Sequence, residues 1–200
     1  MKVTVPLPPY MPDQTLNSNV LLEAKNVYPL ADGYGPVRDF TEISTATPAT
    51  FKGGASFIAD DGTSYLLAGT TNGLAKYTAG AWTDLIVGMS VTDQWRFASF
   101  GNFAIGVNGQ QTKVVDLIAG TASNLVGAPN GKCIAVVGGY VVIGQDTSDL
   151  LSVFTSDINN HTRWVPDEGA TQQPQLTGGE VMGLAGGEYG VILQRRQLTR

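Results

Sequence analysis

The residues able to do chemistry are few and far apart. His161 and Cys133 are the single histidine and the single cysteine, 28 positions apart, whereas a metal centre needs three or four such ligands at short recurring spacings. His161 lies in the polar string Asn159-Asn160-His161-Thr162 and reads as a loop residue. Cys133 opens the apolar run Cys133-Ile134-Ala135-Val136-Val137, which excludes an intrachain disulfide and predicts a buried thiol. Adjacent carboxylates occur at Asp60-Asp61 and Asp167-Glu168, each followed by glycine. A glycosidase holds its two carboxyls apart across a sugar, so both pairs read as turn chemistry. No Gly-x-Ser-x-Gly elbow is present. Gly138-Gly139 and Gly186-Gly187 lie between strand-like runs and open no helix, so they cradle no phosphate. The sequence nominates no catalytic, cofactor-binding or metal-ligating residue, and the expectation is a protein that is not an enzyme and carries no cofactor.

The string from Val153 to Pro166 contains Ser156-Asp157 and, further on, Trp164. It loosely resembles the Ser-x-Asp-x-Gly-x-Thr-Trp box of sialidases but lacks the glycine, and its tryptophan lies too far along. Read from its residues, Ser156 and Asp157 bond the backbone of the loop that follows and Trp164 packs back over that loop. Trp82 and Trp95 fall within strand patterns and read as core. A sugar-binding surface would instead expose the tryptophans at a common rim.

What must position these residues is a run of short strands. With 25 glycines and 10 prolines in 200 residues, every long stretch is broken, and a mostly helical protein is excluded. From about residue 51, β-branched and aromatic runs alternate with turn residues. Four hairpin units align, with turns at Asp61-Gly62, Gly101-Asn102, Gly138-Gly139 and Gly186-Gly187, spaced by 40, 37 and 48 residues. Two-residue turns of types I′ and II′ suit those pairs. Further strand-like runs follow at 74–78, 81–85 and 113–117. Three or four strands per repeat of about 40 residues predict a β-propeller blade, because one small sheet cannot bury both faces alone. The expected fold is all-β, with antiparallel propeller-like blades at about 51–90, 91–128, 129–170 and a partial fourth at 171–200. A β-sandwich is the runner-up. Apolar runs ending in glycine, Leu66 to Gly69, Phe103 to Gly106 and Val141 to Gly144, read as strands buried on both faces.

Residues 1–50 differ, with prolines at 6, 8, 9, 12, 29, 36 and 48. They read as a proline-rich arm tied down by Leu21, Leu22, Tyr28 and Leu30, with two turns of helix at most over 20–27 and a turn cluster at 32–36. No signal-peptide pattern or membrane span is legible, so the expectation is a soluble chain with no membrane contact. Net charge is −5, and the one basic grouping is Arg195, Arg196 and Arg200. Without those three, nine basic residues face seventeen acidic ones, a balance unsuited to gripping nucleic-acid phosphates.

Several segments, taken in order and spacing, resemble tailed-bacteriophage virion proteins of the tail or head-to-tail region. They are Asn26 to Pro29, Tyr34 to Pro36, Asp61-Gly62 through Gly69, Gly73 to Tyr77, Trp82 to Asp84, Asp93 to Phe97 and Phe100 to Asn102. Ala135 to Val137, Val142 to Gly144, Ser156-Asp157 to Pro166, Gly183-Leu184 and Val191 to Arg196 complete the series. The resemblance implies a structural subunit similar to tail-nozzle or tail-hub proteins, located in the virion after assembly in the host cytoplasm. Its partners would be other tail or head-tail proteins and its own copies in a ring, with passive contact to phage DNA in an acidic exit channel. The alternative is a propeller that binds a glycan or host receptor.

Overall fold

The computed structural model describes residues 25–30, 33–37, 41–166 and 169–199. The chain divides into two compact units, residues 1–43 and residues 44–200. In the first, β1 (Val27–Leu30) and β2 (Gly33–Pro36) form an antiparallel hairpin. Tyr34-Gly35-Pro36 is therefore extended rather than part of a turn, because each residue is paired across to β1. Tyr28 and Leu30, expected to anchor the arm, are exposed. Leu21, Leu22 and most of the 20–27 helix segment lie outside the described residues, and Val27 is in a strand.

The second unit is a β-propeller of four antiparallel meanders. The first blade is β3 (Phe51–Ile58), β4 (Ser64–Thr70), β5 (Leu74–Thr78) and β6 (Ala81–Ile86). The second is β7 (Arg96–Phe100), β8 (Phe103–Val107), β9 (Thr112–Asp116) and β10 (Thr121–Asn124). The third is β11 (Cys133–Val137), β12 (Tyr140–Gly144), β13 (Ser152–Thr155) and β14 (Thr171–Pro174). The fourth has three strands, β15 (Val181–Ala185), β16 (Val191–Gln194) and β17 (Leu198–Thr199). Every strand pair within a blade is antiparallel. Thr171–Pro174, which the repeat spacing placed at the head of the fourth blade, is the outermost strand of the third. Its residues are all exposed, so it carries no apolar alternation to mark it as a strand.

The first strands of successive blades, β3, β7, β11 and β15, lie side by side, which makes them the inner strands of a radial stack. Three apolar clusters fill the spaces between blades. Phe57, Leu67 and Leu74 of the first blade meet Trp95, Ala104 and Val115 of the second. Ile105 and Val107 meet Ile134, Val141 and Ile143 of the third. Val142 and Val153 meet Val181 of the fourth, with Leu184 and Ile192 packed against them. Of the expected second strands, Val141 to Gly144 is buried throughout, while in Leu66 to Gly69 and Phe103 to Gly106 the first residue is half-buried and the rest are buried.

Two of the four hairpins have the expected two-residue turn. Gly138 and Gly139 have φ of 52° and 91°, the double positive of a type I′ turn, and Gly101 has φ of 55°. The other two are five-residue loops, contrary to the expectation. In the first blade residues 59–63 close through Ala59 N–H to Thr63 O (3.0 Å), with the Asp61 carboxylate accepting from Thr63 N–H (2.8 Å). In the fourth, residues 186–190 bond outward: Gly187 N–H donates to Val136 O and Gly138 N–H donates to Gly187 O. This loop is held by the neighbouring blade rather than by its own strands.

Blade stacking requires backbone at van der Waals distance from side chains. A Cβ added at Gly69 would lie 2.2 Å from the Trp95 ring, whose indole N–H is fixed on Thr70 O at 3.1 Å. Gly69→Ala is expected to destabilise the protein by about 3 kcal/mol through overpacking, lowering Tm by roughly 6–12 °C. Gly183→Ala adds a methyl at an ordinary 3.7 Å from Leu193 and should change stability by no more than about 0.5 kcal/mol. Differential scanning calorimetry checks both.

Candidate functional site

The residues singled out by type in the sequence are not brought together. Asp60 and Asp61 serve the first hairpin. The Asp60 carboxylate accepts from the Asn102 side-chain N–H (2.9 Å) and the Asp60 backbone N–H donates to Asn102 Oδ1 (2.8 Å), linking the first two blades. Asp167 and Glu168 lie outside the described residues. Among the described residues no three His, Cys, Asp or Glu side chains are grouped as a metal site.

His161 is part of the interface between the second and third blades. Its ring lies 4.4 Å from that of Phe103 and 5.6 Å from that of Phe100, at the tip of the β7–β8 hairpin. Burial favours the neutral imidazole and lowers its pKa. The loop carrying it is built as the residues suggested. Ser156 is fully buried, accepts from Val141 N–H (3.0 Å) and donates to Asp157 O (2.9 Å). The Asp157 carboxylate accepts from Ile158 N–H (2.7 Å), and the Trp164 indole donates to His161 O (2.7 Å).

The three tryptophans occupy three different environments and share no rim. Trp95 is buried between the first two blades. Trp82, on β6, stacks edge-on against Tyr77 at 5.7 Å and donates to the Ser44 hydroxyl (3.1 Å). Trp164 packs against the apolar cluster between the second and third blades.

Two polar groupings emerge that residue type alone did not indicate. The first is at the starting ends of the inner strands, where Lys52, Arg96 and Lys132 gather. Lys132 pairs with Asp93 at 2.9 Å, Lys52 donates to Thr92 O at 3.0 Å, and Arg96 contacts the Cys133 sulfur at 3.5 Å. Asp93, Gln94, Arg96, Lys132 and Gln145 line a shallow cleft there of about 210 Å³. A cation at the start of the inner strand in each of the first three repeats was the available signal. Cys133 lies beneath, and burial raises its thiol pKa despite the neighbouring Arg96 guanidinium, so the thiolate that would react or bind metal is disfavoured.

The second grouping is a cleft of about 280 Å³ on the third blade, with Asp146, Ser148, Phe154, Trp164 and Gln172 among its walls. These residues come from the β12–β13 loop, β13, the β13–β14 loop and β14. No short sequence window contains them, so no motif could have revealed them. A smaller apolar recess of about 170 Å³ lies between the third and fourth blades, with Tyr140, Val153 and Ile192 in its lining.

No protein-family profile matches the chain, and none of the curated proteins does. Among solved structures the chain is similar to PorZ, an essential bacterial surface component of the type-IX secretion system of human oral-microbiomic Porphyromonas gingivalis. That similarity has a TM-score of 0.47 at 17% sequence identity and covers 65% of this chain. It spans 18% of the PorZ chain.

The packing of His161 predicts a pH effect. Its pKa is lower folded than unfolded, so the unfolded chain binds the proton more readily. Its contribution to stability is therefore fully present above the unfolded value of about 6.5 and is lost as pH falls through the folded value. Urea unfolding between pH 8 and pH 4 should show this acid-side loss reduced in His161→Gln, compared with the parent over the same range.

Proposed function

We propose that this chain is a structural subunit of a tailed-phage virion, in the tail or at the head-to-tail nozzle, acting through protein–protein contacts. The observation that carries the reading is the serial order of the segments from Asn26 to Arg196 resembling such virion proteins, on a fold whose blades leave apolar side chains uncovered. The fourth blade is the clearest case. Leu184 and Ile192 are turned to the third blade, and adjacent strand positions point to opposite faces. Leu193 and Leu198 are paired across β16 and β17 on the other face, at 48% and 65% exposure. Apolar groups aligned on a sheet face mark a surface suited to another polypeptide.

The acid surplus is in keeping with a surface along which DNA slides without adhering. Lys52, Arg96 and Lys132, gathered at one end of the inner strands, are a local exception to that sign. A glycan- or receptor-binding role is the second reading, favoured by the polar cleft on the third blade.

Mass spectrometry and electron microscopy of purified particles test the first reading. The chain should be present in a fixed ring-like copy number, and Leu198→Asp should leave the circular dichroism of the isolated chain unchanged while cutting incorporation at least tenfold. Normal incorporation of Leu198→Asp would remove this face from the account, and absence of the chain from particles would remove the virion role.

A further inference from the structure

The cleft on the third blade has the chemistry of a site for a neutral sugar, independently of any virion role. A sugar ring presents a flat C–H face, which prefers an aromatic or apolar wall, and a fringe of hydroxyl groups, which need acceptors in fixed positions. Both are present. Trp164 forms one wall and is fixed in orientation by its indole hydrogen bond to His161 O at 2.7 Å. Phe154 forms another, and it is paired across the sheet with Gln172 on the same face.

The acceptors are placed before any ligand arrives. Asp146 is 5% exposed, an unusual degree of burial for a carboxylate. Its Oδ1 is taken up by the backbone N–H and the hydroxyl of Ser148. No hydrogen bond or ion pair within the described chain engages its Oδ2, and Asp146 lines the cleft. Gln172 uses its Nε2 on Asp149 at 3.0 Å, which orients the amide and leaves Oε1 unengaged. Oδ2 is open to the cleft rather than sealed in, so the hydroxyl of a bound ligand can reach it and donate to it.

We infer that this cleft binds a neutral saccharide residue, stacked on Trp164, with its hydroxyls donating to Asp146 Oδ2 and Gln172 Oε1. The ligand is neutral because no lysine or arginine is among the described residues lining the cleft, and the Asp146 carboxylate repels sialylated, sulfated or phosphorylated sugars. At about 280 Å³ the cleft lies near the small end of ligand pockets, which fits one ring of a longer glycan rather than an extended chain.

The test uses the full chain on an array of neutral hexose and N-acetylhexosamine oligosaccharides beside sialylated and sulfated ones, followed by calorimetric titration of the best neutral binder. Saturable binding to neutral glycans is expected, with Asp146→Asn weakening it tenfold or more and Gln172→Ala about three- to tenfold. Trp82→Phe, remote from the cleft, should leave affinity unchanged. Gln172 is exposed, so its variant keeps the test decisive if Asp146→Asn fails to fold. Absence of neutral-glycan binding, preference for sialylated or sulfated glycans, or neutral binding that a folded Asp146→Asn or Gln172→Ala leaves unaltered would each overturn the inference.

Discussion

The closest approaches between blades of this propeller occur where one of them offers bare glycine backbone to the next. At Gly69 the partner is the Trp95 ring, and at Gly144 it is Val181, whose methyl carbon would lie 2.8 Å from an added Cβ. At Gly186 the partner is the Val136 carbonyl, 2.1 Å from where a Cβ would stand. These contacts link the first blade to the second and the third to the fourth. Burial of Leu67, Ile105 and Val141 supplies the driving force between sheets; glycine at the close approaches sets how near the sheets can come. The inner-strand cations inherit this geometry, because Lys52, Arg96 and Lys132 come from three blades whose inner strands lie side by side, whereas the third-blade cleft is assembled mainly within one blade.

The same constraint accounts for what the sequence made legible. Apolar runs that end in glycine revealed the doubly buried strands β4, β8 and β12, because the pattern and the packing requirement are the same. Gly101-Asn102 and Gly138-Gly139 revealed true two-residue hairpins, where turn geometry is local. Asp61-Gly62 and Gly186-Gly187 have similar composition but sit in five-residue loops, the first closed internally on Thr63 and the second bonded to the third blade. Composition alone does not distinguish these cases, and for Gly186-Gly187 the deciding partner is remote in sequence. β14 escaped for the opposite reason: Thr-Gln-Gln-Pro is paired on one edge, exposed throughout, and has no apolar face to write a period into the chain.

The single histidine and cysteine were read as structural, and both are engaged in packing between blades. The cleft containing Asp146 was not legible, because a lone aspartate in Gln145-Asp146-Thr147-Ser148 looks like any turn residue. Only the fold buries it and points it toward Trp164 and Gln172.

A double-mutant cycle across the third and fourth blades tests the stacking account most directly. Gly144→Ala alone should destabilise the chain by about 2 kcal/mol through overpacking, and Val181→Ala alone should also destabilise it through lost burial. Combined, the two should be less destabilising than their sum by at least 1 kcal/mol, because removing the Val181 methyls makes room for the new Cβ. Strict additivity, within about 0.3 kcal/mol, would mean that these surfaces do not press on one another and would contradict the radial stack.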